Sequence, residues 1–217
     1  IYFDGTDDVL TFLNNPAWNI WNSDYVAEGY FYYTDAAAIY GMMTISNAAA
    51  TISTIAFYAQ RQTDRTVRVK LGYGGGTDTL DSVTIVPDST WTHVALVRRA
   101  NVYYLYIGGV EQASTVDYSA KTVPVLATQN IYLGKRGTSF YDTVGYITEA
   151  RVMAGTPYTG SFTPPTEPFD RGTLAQYEMT YIDSAGNLVL EDSNGAKAYS
   201  PSPAPSGLFK GGVFKEG

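Results

Sequence analysis

"WTHVALVRRANVYYLYIGGVEQ", residues 91–112, reads as two strands and two turns. Residues 91–98 and 102–107 form a hairpin that turns at Arg99, Ala100 and Asn101. Gly108 and Gly109 follow, and a Gly-Gly pair supplies the positive φ that a second tight turn needs. The same period continues on either side. In residues 24–34, Tyr25, Ala27, Gly29 and Phe31 alternate with Val26, Glu28, Tyr30 and Tyr32. Val67, Val69 and Leu71 share one face, opposite Arg68 and Lys70, as a half-buried strand requires. Residues 51–60 are β-branched and apolar, and the glycine-rich "GYGGGT" at 72–77 reads as a flexible loop. Helical spacing is hard to find. Short strands and turn signals at this spacing predict an all-β chain, an antiparallel two-sheet β-sandwich.

The bulk composition narrows the function. A chain of 217 residues with 45% apolar content can bury a sizeable core, as one domain or one domain plus an appendage. The net charge of −7 and scattered basic residues argue against nucleic acid as a partner. There is no cysteine, which removes disulfides, thiolate metal sites and a cysteine nucleophile. No apolar run approaches the ~20 residues of a membrane span, so membrane insertion is not expected. A start at Ile1, without Met, reads as a fragment or a processed product. Tyrosine is the outlier, with 19 Tyr against 9 Phe and 3 Trp. Its polar tip on an apolar ring suits exposed sheet faces and interfaces, while strand propensity accounts for most of it.

The stretch "GYITEARVMAGTPYTGSFTPPTEPF", residues 145–169, is strand-like and then breaks at Pro164, Pro165 and Pro168, which rule out a continuing central strand. The sandwich domain is therefore placed at 1–168 and a C-terminal extension at 169–217. Within the extension, residues 173–191 suggest one more hairpin about Ser184, Ala185 and Gly186, and the proline-rich 200–207 reads as a semi-rigid linker. The tail, 208–217, repeats an apolar–Phe–Lys–x–Gly unit. Its Leu208, Phe209, Val213 and Phe214 are expected to dock on a neighbouring subunit; a frayed terminus is the alternative.

Four segments, taken in order, resemble a known family. They are "YFDGTDDVL" (2–10), "DYVAEGYFYYTD" (24–35), the hairpin 91–112, and "IYLGKRGTSFYDTVGYITEARVMAGTPYTGSFTPP" (131–165). They are similar to concanavalin A-like, laminin G-like jelly-roll domains. That family usually writes Asp-Gly at the central turn, where this chain has Gly108-Gly109, which keeps the turn and removes a carboxylate. The resemblance covers about residues 1–168 and implies a jelly roll, a fold that hosts lectins, adhesion modules and hydrolases alike. The wording of the last segment resembles virion surface proteins of tailed bacteriophages, tail fibres in particular. It implies a virion-surface location, assembly in the bacterial cytoplasm, other virion subunits as partners and a homo-oligomer. The lack of cysteine agrees with a reducing compartment.

Side-chain chemistry favours binding over catalysis. Hydrolases of this fold set acids two apart on a strand, and none of the 21 acids here has such a neighbour; Glu149 is flanked by Ile147 and Arg151. His93 is the single histidine, lies within a strand and has no G-x-S-x-G elbow to serve. "GYGGGTDT" lacks the Gly-Lys-Ser/Thr ending of a phosphate loop. Asp4, Asp7 and Asp8 are weak Ca2+ candidates, with Asp78 and Asp81 flanking another loop, but Asp and Gly in "DGTDD" suit an ordinary turn. No cofactor or metal is expected. For a glycan, Trp18 and Trp21 in "NNPAWNIWNSD" offer indole rings beside four Asn, with Tyr73 and Asp78, and Tyr141 and Asp142, as lesser pairs. The favoured reading of the two Trp is nevertheless as a cover for the open edge of the core. The expectation is a non-enzymatic virion surface or adhesion module that recognises host-surface glycans. Its rival is a capsid or tail decoration subunit, and a polysaccharide hydrolase ranks third.

Overall fold

In a computed structural model of the chain, the residues described are 1–6, 8–13, 20–34, 38–46, 55–124, 129–136 and 141–166, with strands at 177–182, 188–192 and 197–199. Among them are two antiparallel sheets of six strands each. The first holds, in spatial order, β1 (Tyr2–Asp4), β12 (Val144–Ala154), β3 (Tyr25–Tyr33), β8 (Thr92–Arg99), β9 (Val102–Ile107) and β10 (Val110–Asp117). The second holds β2 (Leu10–Phe12), β11 (Asn130–Leu133), β4 (Tyr40–Ser46), β5 (Ile55–Arg61), β6 (Val67–Tyr73) and β7 (Gly76–Asp81). Non-consecutive neighbours in both sheets mark a sandwich, with the fold class as the sequence predicts.

Alternation explains the layering. Tyr25, Ala27, Phe31 and Tyr33 of β3 enter the core, where they join Val94, Leu96, Leu105, Phe57, Val69 and Leu71 from both sheets. Removing this apolar area from water, at about 25 cal/mol per Å², is the main force holding the sheets together. Charged groups are taken in as well, Arg61 among them. The Arg61 side chain is fully buried, bonds the Asp88 carboxylate, and lies 4.9 Å from the Tyr33 ring centre, while Arg65 holds the other Asp88 oxygen.

Both turns of the central hairpin form as read. Ala100 and Asn101 take φ of 49° and 65°, and Gly108 and Gly109 take 59° and 78°. Two successive positive φ values match the right-handed twist of the strands. The reading of 72–77 as a flexible loop needs correction. Gly72 pairs with Thr77 and Tyr73 with Gly76, so only Gly74 and Gly75 make the turn of a tight hairpin. Asp78 and Asp81, placed at a loop by sequence, accordingly lie on β7.

After β12 the chain crosses back over the outer face of the first sheet. Tyr158 and Phe162 of this strap pack on Val26, Ala95, Val97 and Tyr106 as a second, smaller core. Phe162 N–H bonds the Gly109 carbonyl, Glu111 N–H bonds the Ser161 hydroxyl, and Arg99 donates to the Tyr158 carbonyl. The prolines at 164 and 165 thus close a covering strap. In the extension, β13 (Tyr177–Ile182), β14 (Leu188–Asp192) and β15 (Lys197–Tyr199) form a three-stranded sheet. The linker at 200–207 and the tail with Leu208, Phe209, Val213 and Phe214 lie outside the described residues.

Candidate functional site

The uncovered part of the first sheet's outer face carries a row of aromatic rings. Tyr2 on β1 faces Tyr146 on β12, which faces Tyr32 on β3, and Trp91 stands immediately before β8 beside Tyr32. Strand alternation puts them there, since their neighbours Phe3, Ile147 and Phe31 all turn into the core. Ring centres lie 4.9 Å apart for Tyr2–Tyr146, 5.7 Å for Tyr146–Tyr32 and 5.5 Å for Tyr32–Trp91, at tilts between 48° and 79°. Trp91 is 47% exposed, and the three tyrosines are half-buried. An indole left in water beside three phenols offers apolar faces with polar rims.

Further along the same face the surface is polar and closed. Glu28 is 1% exposed on β3, and three side chains satisfy it. His93 Nε2 and the Tyr158 hydroxyl each lie 2.9 Å from Oε2, and Arg151 Nε donates to Oε1 at 2.6 Å. Burial, then the Glu28 carboxylate, pushes the Tyr158 phenol up, so it stays a donor. The Tyr158 and Phe162 rings stack at 3.6 Å over this cluster. Tyr30 borders it, 4.9 Å from the His93 ring, with its hydroxyl on the Pro165 carbonyl. Burial first, then the Glu28 and Glu149 carboxylates, raise the Tyr30 pKa. The arrangement fixes the strap to the sheet and holds one buried negative charge.

The residues singled out by sequence fall in several places. Trp18 and Asp7 lie outside the described residues. Trp21 is 2% exposed and meets Tyr25 edge-on at 5.5 Å, and Asn22 exchanges two hydrogen bonds with Val123, so this part of the loop seals the core. Tyr73 and Asp78 are brought together by Lys121, whose ammonium lies 4.8 Å from the Tyr73 ring centre and 2.6 Å from Asp78 Oδ2. Asp142 pairs with Lys135 at 2.6 Å, and the Arg136 guanidinium lies 5.6 Å from the Tyr141 ring centre. Asp8 accepts from Asp4 N–H and Asp4 from Thr6 N–H, a turn. Among the described residues no group of three His, Cys, Asp or Glu could hold a metal ion. Reading by sequence missed the aromatic row. Its one local signal was Tyr32 in the alternation of β3; the other members arrive on strands remote in the chain.

Comparison with known proteins accords with this architecture. A laminin G-type family model, described as the Concanavalin A-like lectin/glucanases superfamily, matches residues 4–156. No curated protein matches the sequence. Among solved structures, a heptameric SAP-like pentraxin from Limulus polyphemus superposes with a TM-score of 0.56 at 14% identity, over 73% of this chain and 76% of that one. A putative carbohydrate binding protein from Bacteroides ovatus gives 0.62 at 11% identity, over 92% of this chain and 58% of that one. The CBM40 of a Ruminococcus gnavus IT-sialidase, bound to α2,3-sialyllactose, gives 0.50 at 18% identity, over 67% and 86%. At these identities the likeness is one of fold.

Proposed function

We propose, because the chain belongs to the Concanavalin A-like lectin/glucanases superfamily, that it is a non-enzymatic glycan-recognition module. Its contact surface is the row Tyr2, Tyr146, Tyr32 and Trp91. The observation that carries this reading is Trp91, a residue 47% exposed whose ring is yet braced by Tyr32 at 5.5 Å. Such a ring stacks on the apolar face of a sugar without first being ordered, and the polar rims of its neighbours accept or donate to hydroxyls. Carbohydrate-binding proteins of the same fold support the class of ligand. A glycan array probed with the full chain and with Trp91→Ala/Tyr32→Ala tests it. Binding should vanish in the double variant while its melting transition stays intact; retention of full binding rejects this surface.

The place of the module is proposed as the virion surface of a tailed bacteriophage, on the wording of residues 131–165. Detection of the chain in purified particles checks it. A decoration subunit is the second reading, and one feature favours it: Val83, Ile85 and Val110 are 79%, 45% and 54% exposed. Gln112 joins Val83 to Val110, accepting from Val83 N–H and donating to the Val110 carbonyl, which sets apolar side chains beside the open strand β10. If Val83→Asp/Val110→Asp detaches the chain from particles and no glycan binds, assembly is the function.

A further inference from the structure

We infer that Tyr2 and Tyr146 form an oxidative cross-linking site, where one-electron oxidation joins the two rings and staples β1 to β12. The site goes beyond glycan recognition and does not rest on it. Ladder position brings the rings together. The Ile1 nitrogen donates to the Ile147 carbonyl at 2.8 Å, and Ile147 N–H donates to the Ile1 carbonyl at 2.9 Å. That pair exchanges both bonds. The next pair, Tyr2 and Tyr146, therefore takes the non-hydrogen-bonded position, where opposed side chains stand closest. Their ring centres lie 4.9 Å apart at a tilt of 48°. Two phenols joined through carbon hold their centres only slightly closer, with planes twisted rather than parallel. The remaining movement falls to Tyr2, on a three-residue strand at the edge of the sheet.

Other close tyrosine pairs among the described residues are less well placed. Tyr103 and Tyr118 lie 4.8 Å apart and Tyr33 and Tyr40 5.5 Å apart, but all four are buried in the core, away from an oxidant. Tyr32 and Tyr146 are half-buried, yet they meet at 5.7 Å and 79°, a ring edge against a ring face. Tyr2 and Tyr146 are both half-buried and need no such turn. The chain also has no cysteine, whose thiol would reduce a tyrosyl radical before it coupled.

Trp91 is the point of entry. It is the most exposed residue of the row, with its ring 5.5 Å from Tyr32 and 6.4 Å from Tyr146. A haem peroxidase supplied with hydrogen peroxide takes one electron from the indole, which sheds its N–H proton. At neutral pH tyrosine gives up an electron and a proton together more readily than tryptophan does. Tyr146 therefore restores Trp91 and becomes the radical. The radical exchanges with Tyr2, and a second oxidation regenerates it at Tyr146. The two radicals join at the carbons ortho to their oxygens, and each ring regains its phenol by moving the proton at the new bond onto oxygen. In sum one C–C bond replaces two C–H bonds, and one hydrogen peroxide becomes two waters.

Treating the dilute full chain with hydrogen peroxide and a haem peroxidase tests this. The expected product is a monomer lighter by two hydrogens, with dityrosine fluorescence, whose digest links the Tyr2 peptide to the Tyr146 peptide. Tyr2→Phe and Tyr146→Phe should each lose that product while keeping the parent's circular dichroism. Trp91→Phe should keep the product and form it several-fold more slowly. The link mapped in the parent chain decides the site even where a variant folds poorly. A digest that links other tyrosines, links between chains alone, or no loss of hydrogen overturns the site. Formation at full rate in Trp91→Phe overturns the relay and leaves the coupling site standing.

Discussion

Glu28 sits in the middle of a strand with its carboxylate out of water, and three donors keep its charge there. Breaking a buried pair by removing one partner costs about 3–5 kcal/mol, since the other charge is left without its counter-ion. Glu28→Gln is therefore expected to lose about that much in urea denaturation, and Tyr158→Phe, which deletes one neutral donor to a charged acceptor, only about 1.5–3 kcal/mol. A smaller loss for Glu28→Gln than for Tyr158→Phe would contradict this ordering. Asp88 carries a pH dependence. Its bond to Arg65 comes first among the causes that hold its carboxyl below the usual range, with Arg61 adding to it against the penalty of burial. A folded pKa below the unfolded one means that the stability is complete above the unfolded carboxylate range, about 3.9. It is lost as pH falls through the lower folded value. Asp88→Asn should therefore flatten the acid branch of a stability–pH profile and lower the plateau at neutral pH. An unchanged acid branch would contradict it.

The central hairpin and the strap depend on each other. Gly109 has φ of +78°, and a Cβ there would collide with the Phe162 carbonyl oxygen. Gly108 has a similar φ but open space around it. The two neighbours therefore separate two effects of substitution. Gly108→Ala should cost only the backbone strain of a positive φ, of order 1 kcal/mol. Gly109→Ala should cost more and should release residues 155–166, seen as faster amide exchange and proteolysis there. Equal exchange in the two variants would show that the strap does not depend on Gly109. The sequence made this hairpin legible because its turn chemistry is local. It left the strap unread, because a proline-ended segment can exit into water or fold back, and the choice depends on a sheet face built from four other segments.

For the molecule as a whole, the two apolar clusters among the described residues draw on positions from Phe3 to Phe162. Residues 1–169, which hold both six-stranded sheets, are expected to fold without the extension, with a β-sheet circular dichroism spectrum and a cooperative melt. Failure of that fragment would place an essential contact in residues 170–217. The two sheets also explain why the rings of the candidate surface gather. Sheet order sets β1 beside β12 and β12 beside β3, so tyrosines at positions 2, 146 and 32 become neighbours.

By itself the sequence determined the period-two strands, the turns at Ala100-Asn101 and Gly108-Gly109, and the two-sheet class, because alternation and turn chemistry act over a few residues. Trp21 illustrates its limit. An indole in an Asn-rich loop looks the same on paper whether it stacks on a sugar or on Tyr25, and only packing placed it in the core. Tertiary structure alone decided the covering strap, the buried Glu28 charge and the exposed Trp91 row. Each is made by strand neighbours far apart in the chain, and cross-strand distance is set by sheet order, which no local pattern encodes.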